Sequence, residues 1–281
     1  KIYFCPMFLK RGVILIILIT ALFTSGCNEY QQVLKSSDPQ YKYDKAVEYF
    51  EDGKYQKALP IWEELMTLYR GTQKSQDVYY YYAMTLVRVN DFILAAYHFK
   101  TFYQTFPNHP NADEAAFMVG FCYYKESPAY SLEQTNTYKA INEIQLYLNT
   151  HPHTPHFDEC NMIMDELRAK LEKKSFLIAK QYWHTEHFKA AVEALNTTLN
   201  DFPDTPYREE ALYLRLDASY KLASNSIVSL QAQRFKEAKT AYNDLIGIYP
   251  ETSYKGSAEK IMEKIEEELN ALNLAQNTNN I

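Results

Sequence analysis

The sequence predicts an all-α chain, a solenoid of about five helix–turn–helix repeats. Three observations carry this. Only 7 Gly and 11 Pro occur in 281 residues, too few for Gly/Pro-rich disorder or for a β fold full of tight turns. Four segments share one end signature: Phe106-Pro107-Asn108-His109-Pro110, His151-Pro152-His153-Thr154-Pro155, Phe202-Pro203-Asp204-Thr205-Pro206 and Tyr249-Pro250-Glu251-Thr252-Ser253. Tyr69-Arg70-Gly71-Thr72 is a fifth, degenerate copy. Finally, a helical pattern precedes every copy. Twelve residues before Arg70, Pro107, Pro152, Pro203 and Pro250 stand Ala58, Ala95, Ala140, Ala191 and Ala238. Eight before stand Trp62, Phe99, Ile144, Leu195 and Tyr242, and four before stand Met66, Tyr103, Leu148, Leu199 and Ile246. Fifteen before stand Tyr55, Phe92, Thr137, Phe188 and Phe235, with Thr137 the exception. Steps of three, four and four trace one face of an α-helix.

Taken in order, residues 1–26 have the layout of a lipoprotein signal peptide. Lys10-Arg11 is basic, and Val13-Ile14-Leu15-Ile16-Ile17-Leu18-Ile19 opens an apolar stretch reaching Phe23. A bilayer span needs about 20 apolar residues, so this stretch suits a signal-peptide core. Thr24-Ser25-Gly26-Cys27 follows and resembles a bacterial lipobox, with Thr24 where that pattern usually has Leu. An ordinary signal peptide or a buried apolar helix is the alternative. On the lipobox reading Cys27 carries covalent diacylglycerol and an N-acyl (palmitate-type) chain, each buried methylene contributing about 0.8 kcal/mol of membrane affinity. Asn28 follows rather than Asp; by resemblance to enterobacterial sorting this does not signal inner-membrane retention. Residues 27–40 read as a lipidated linker.

The N-terminal lobe spans 41–152 and holds repeats one to three. First helices are expected over 43–52, 78–89 and 112–125, each followed by the Ala-bearing second helix. The small Ala lets a neighbouring helix approach closely. Pro then stops the helix, because it lacks an N–H and biases the preceding residue away from α. The inserted loop 127–136 separates the two helices of repeat three. The C-terminal lobe, 153–272, holds repeats four and five. From Pro152 to Phe188 is 36 residues, against 22 from Arg70 to Phe92. The excess is about four turns at 3.6 residues each, so 158–184 reads as one long helix with Ile163, Leu167, Leu171 and Ile178 on a stripe. A first helix over 208–222 and a capping helix over 259–272 complete the array. The tail 273–281 is expected to be disordered.

The formal charge is −6. Setting aside Lys1, Lys10 and Arg11, residues 27–281 carry 26 basic and 35 acidic side chains, which disfavours a nucleic-acid binder. Cys5 leaves with the signal and Cys27 takes the lipid. Cys122 and Cys160 remain, either as a disulfide in an oxidising compartment or as two small buried helix residues. Nothing matches a Walker loop, G-x-G-x-x-G, H-E-x-x-H or G-x-S-x-G. His151, His153 and His156 sit in a Pro-bound turn, so a structural turn is read over a metal site. Glu63-Glu64 and Glu209-Glu210 are adjacent pairs on helices and read as solvated. Tyr79, Tyr80, Tyr81 and Tyr82 stand in a row. Consecutive helix positions turn by about 100°, so two of these rings are expected to pack in the core and at least one or two to face the groove or solvent, where Tyr suits binding. Tyr79, Tyr80, Tyr82, Arg88 and Lys42 are the candidate peptide-groove residues; the two cations either meet a peptide carboxylate or acidic side chain or stand as solvated charges.

The helix–turn–helix unit recurs at 37, 45, 51 and 47 residues between its turn positions. It resembles the tetratricopeptide repeat of about 34 residues, which stacks into a right-handed superhelix with a groove. Residues 27–265 resemble the BamD (YfiO) family of outer-membrane lipoproteins, especially its Bacteroidota branch. Tyr30-Gln31-Gln32-Val33-Leu34-Lys35-Ser36, Ser127-Pro128, Leu132-Glu133-Gln134-Thr135, Leu171-Glu172-Lys173-Lys174 and Leu222-Ala223-Ser224-Asn225-Ser226 carry the likeness. The resemblance implies a non-catalytic, lipid-anchored scaffold of the outer-membrane β-barrel assembly machine (the BAM complex). It implies no cofactor. Its partners are the barrel-forming subunit, held through the C-terminal repeats, and unfolded outer-membrane proteins, received by the N-terminal repeats. Ser127, Pro128, Tyr130, Leu132 and Gln134 are the candidate partner-binding residues. The expected location is the outer membrane, facing the periplasm. The alternative is a periplasmic repeat lipoprotein coordinating envelope synthesis or cell division.

Overall fold

The structure, a computed structural model, describes residues 29–278, with side chains through 274. The signal peptide and the Cys27 lipidation site lie outside the described residues. Among the described residues every regular element is a helix. A short helix, α1, covers 29–35. Five helix pairs follow: α2 (Pro39–Glu51) with α3 (Tyr55–Leu68), α4 (Ser75–Arg88) with α5 (Phe92–Thr105), α6 (Ala112–Lys125) with α7 (Thr135–Thr150), α8 (Phe157–His184) with α9 (Phe188–Asp201), and α10 (Arg208–Ser224) with α11 (Val228–Ile248). The last helix, α12, is Lys255–Thr278.

The repeat register holds. Ala58, Ala95, Ala140, Ala191 and Ala238 are all fully buried, as are Trp62, Phe99, Ile144 and Leu195 one turn on. Close approach is most severe on α6, where a Cβ added to Gly120 would stand 2.6 Å from Ile144 Cδ1 and 3.1 Å from the Ile144 backbone N.

Two kinds of turn join the helices. Between the helices of repeats one, two and four, Gly53, Asn90 and Glu186 adopt φ of 74°, 64° and 60°. The next residue's N–H reaches back to the helix: Lys54 to Tyr49 C=O at 2.7 Å, Asp91 to Leu86 C=O and His187 to Tyr182 C=O at 2.9 Å. This left-handed cap satisfies carbonyls the helix end leaves open. Between repeats, the N–H groups of Thr72, His109, Thr154, Thr205 and Thr252 each bond the carbonyl three residues earlier. Pro at the second position of such a β-turn has its φ preset. His109 Nδ1, Thr154 Oγ1 and Thr252 Oγ1 then accept the backbone N–H two residues on, opening the next helix.

The chain divides into two compact units. One runs to Ser127 and resumes over Thr135–Asn161; the other comprises Pro128–Gln134 and the chain from Met162. The first unit packs around Val33, Trp62, Phe99, Phe102 and Ile144. The second packs around Phe176, Leu195, Leu212, Phe235, Leu245 and Ile265.

Four details depart from the sequence expectation. The stretch 27–40 is not all linker, because Tyr30, Val33 and Leu34 form an apolar helical face and Val33 is fully buried. Ile178 is exposed, since the buried face of α8 turns to Phe176 and Ala179 where it enters the second unit's core. Helix α11 starts at Val228, two turns before Phe235. Helix α12 continues to Thr278 instead of ending at residue 272, because no Gly or Pro interrupts it after Gly256.

Candidate functional site

Lys42 is only 2% exposed, so it is a buried tie and not a groove cation. Its ammonium lies 2.5 Å from the Glu64 carboxylate on α3 and donates to the Leu34 carbonyl of α1 at 3.0 Å. One side chain on α2 thereby joins three helices. The Glu63–Glu64 pair is accordingly engaged: Glu63 accepts from Tyr82 OH at 3.4 Å.

The tyrosine row is packed on both flanks. Tyr81 stacks on Trp62 at 5.2 Å and meets Phe50 edge-on. Tyr80 packs against Phe99, Phe102 and His109. Tyr79 OH bonds His98 Nδ1 at 3.0 Å, and Tyr82 is buried with His98 edge-on at 4.8 Å. Desolvation pushes the Tyr80 and Tyr82 hydroxyls up to about 12 and holds His98 below the usual imidazole range. Of the proposed groove residues, Tyr82 and Lys42 are core, Tyr79 and Tyr80 are half-buried, and Arg88 is exposed with no ion pair among the described residues.

The segment between α6 and α7 is pinned. Gln134 is buried and donates to the Ala129 and Leu132 carbonyls at 2.8 and 2.9 Å. It shapes the loop from within and so is not a contact surface. Ser127 Oγ lies 2.6 Å from Thr137 Oγ1. Lys174 of α8 donates to the Leu132 carbonyl at 2.7 Å, and the Lys173 ammonium sits over the Tyr130 ring at 4.6 Å. Pro128 and Tyr130 are half-buried, while the Leu132 side chain is 58% exposed.

The other candidates are structural. His156 stacks on Phe117 at 4.1 Å and meets Glu114 at 2.8 Å; His151 stacks on Tyr147. Glu209 is not simply solvated. It accepts from Thr252 Oγ1 at 2.6 Å and the Ser253 N–H at 2.9 Å, and the Thr252 bond leads in holding its carboxyl below the usual range. Cys122 and Cys160 are free and buried, and burial raises their thiols to about 12 and 11.

The second unit holds a surface the sequence did not single out. A cavity of about 390 Å³ lies between α9 and α11 over α10, lined by Glu193, Asn196, Arg215, Ser219, Arg234, Glu237 and Asp244. Arg215 donates to Asp244 Oδ2 at 2.6 Å and to Asn196 Oδ1 at 3.3 Å, and its Nε is buried without a partner. A second cavity of about 280 Å³ shares Val192, Glu193, Leu222, Arg234 and Glu237 and adds Lys189 and Leu230. Beside it Ile227, Val228 and Leu230 are 69%, 72% and 42% exposed. An apolar pair opening a helix straight after Ser226 was the available signal. Together the two cavities are lined by apolar Leu222 and Leu230 and by charged Glu193, Arg234 and Glu237. Among the described residues no helix is long and apolar enough to cross a membrane, and no group of three acidic, His or Cys side chains is placed to hold a metal ion.

Residues 35–234 match the family described as YfiO, outer membrane lipoprotein. The outer membrane protein assembly factor BamD of Pasteurella multocida is 20% identical over 226 residues, covering 77% of this chain and 86% of its own. That of Caulobacter vibrioides is 21% identical over 186 residues, covering 65% and 56%. The solved TPR2AB-domain:pHSP90-complex of yeast Sti1 overlaps more loosely, at a TM-score of 0.39 and 14% identity over 86% of this chain and 96% of that one.

Proposed function

Because this chain belongs to the YfiO family of outer membrane lipoproteins, we propose that it is a non-catalytic scaffold for outer-membrane protein assembly. The observation that carries the proposal is the family match over 35–234, which takes in α2 through α10 and so nearly all the repeat helices. The names of the two bacterial relatives agree with it. In this reading Cys27 bears the diacylglycerol and N-acyl chains, and the repeats project into the periplasm.

The finer division of work rests on the family resemblance, with support from side-chain exposure. The barrel-forming subunit's periplasmic domains dock on the second unit, at Leu132, Ile227, Val228 and Leu230. Support comes from the exposure of these four residues and from the pinned backbone under Leu132. Burying one such side chain contributes about 1.5–3 kcal/mol. Extended client segments engage the first unit near Arg88, an exposed cation at the end of α4.

The test measures two affinities on purified protein. Ile227→Glu is expected to weaken binding of the partner's periplasmic domains at least tenfold and to leave a barrel-strand peptide's affinity unchanged. Arg88→Ala is expected to do the reverse. Partner affinity untouched by Ile227→Glu and by Leu132→Glu, in proteins that melt normally, would refute the docking surface.

A further inference from the structure

We propose that the edge of the first repeat carrying Tyr30, Lys45, Lys54 and Lys57 rests against lipid headgroups and fixes how the chain stands on its membrane. This rests on the acylation of Cys27 proposed above.

The argument begins with tether length. Cys27 and Glu29 are two residues apart, and an extended chain covers at most about 3.6 Å per residue. Glu29 therefore stays within about 7 Å of the acylated residue. The headgroup layer of one leaflet is itself about 5–7 Å thick, half the difference between the full bilayer and its hydrocarbon core. Glu29 thus cannot leave the neighbourhood of the headgroups.

Glu29 is also not free to swing away from the protein. Its carboxylate lies 2.7 Å from Lys45 Nζ. The Tyr30 ring meets Tyr49 edge-on at 5.9 Å, Val33 is fully buried, and Lys42 holds the Leu34 carbonyl. Helix α1 is therefore a rigid collar on α2 and α3, and whatever surrounds Glu29 shares its depth.

What surrounds it suits a headgroup layer. Lys57 Nζ lies over the Tyr30 and Tyr49 rings at 5.6 and 5.8 Å, and Lys54 Nζ lies 5.9 Å from the Tyr49 centroid. Tyr and Lys are the side chains that place an apolar body in the interface and a polar tip in water. The edge is not an anion trap. Lys45 pairs with Glu29 and Glu48, and Lys54 with Asp52. The contact should therefore form on zwitterionic lipid and survive salt.

The test uses the full acylated protein in phosphatidylcholine vesicles, with and without phosphatidylglycerol, containing a headgroup-nitroxide lipid. A fluorophore is attached at Lys54→Cys, at Glu51→Cys, the exposed last residue of α2 three positions before Lys54, or at Leu146→Cys on α7 in the third repeat. The native thiols Cys122 and Cys160 are buried and stay unlabelled. Quenching at least threefold stronger at positions 51 and 54 than at 146, in both lipid mixtures, is the expected result. Equal quenching at all three sites, or quenching that appears only with phosphatidylglycerol, would overturn the proposal. Intact mass separates its failure from that of the acylation reading: protein lacking acyl chains overturns both, whereas acylated, vesicle-bound protein without the quenching difference overturns this inference alone.

Discussion

Removing Glu64 should harm the protein more than removing the lysine it serves. Lys42 is 2% exposed, with Glu64 and the Leu34 carbonyl as its two acceptors. Glu64→Ala leaves a buried ammonium with one acceptor. Stripping one partner from a fully buried pair costs about 3–5 kcal/mol. The Glu64 side chain is 44% exposed, so water screens the pair and can partly replace the carboxylate; about 2–3 kcal/mol is the discounted figure. Lys42→Met removes the buried charge itself and fills similar volume. It loses mainly the bond to Leu34, about 1 kcal/mol, while the half-exposed Glu64 rehydrates. In thermal unfolding Glu64→Ala should lower Tm by about 4–12 °C, at 2–4 °C per kcal/mol for a domain of this size, and Lys42→Met by about a third to a half as much. The double variant should match Lys42→Met within about 0.5 kcal/mol, since the two side chains act as one unit. A Lys42→Met loss larger than that of Glu64→Ala would refute the reasoning.

Three further outcomes are expected. Ala191→Leu overpacks a fully buried contact and should cost about 1–3 kcal/mol by urea denaturation; an unchanged midpoint would contradict the register. His98 is held below its unfolded value by burial, so the folded state favours the neutral ring. Stability should be complete above the unfolded value, near pH 6.5, and fall as pH drops from there through the folded value. His98→Gln should flatten the melting temperature between pH 7 and 5, and an unaltered slope would remove His98 from that role. In protein cleaved and acylated at Cys27, Cys122 and Cys160 should resist maleimide at neutral pH until the protein unfolds, then react as two thiols by mass; fast labelling of the native protein would contradict their burial.

Much of the fold was legible because small and large residues alternate at fixed distances from each Pro turn. All five alanines proved buried for that reason. Gly53 and Asn90 are residue types that favour the left-handed conformation they adopt, whereas Glu186, in the same conformation, belongs to a type that gives no local hint. Lys42 misled because a lysine on an amphipathic helix ordinarily reads as solvated or groove-facing. Its partner lies on another helix 22 residues away, and nothing local announces that pairing. The tyrosine row misled through a rule applied to one helix. Rotation by 100° per residue requires the rings to point apart, but α2 and α3 receive Tyr81 while α5 receives Tyr79, Tyr80 and Tyr82. The groove over α10 was unread because α11 begins two turns earlier than the repeat pattern implied, bringing Leu230 and Arg234 beside α9.

The scaffold reading is tested most directly by crosslinking native outer membranes and purifying the chain under denaturing conditions. The expected product contains a β-barrel protein with repeated periplasmic domains, and it disappears when Ile227→Glu and Leu132→Glu are combined. Recovery instead of peptidoglycan-linked or cell-division proteins, with no such barrel protein, would contradict the account and favour a role in envelope synthesis or division.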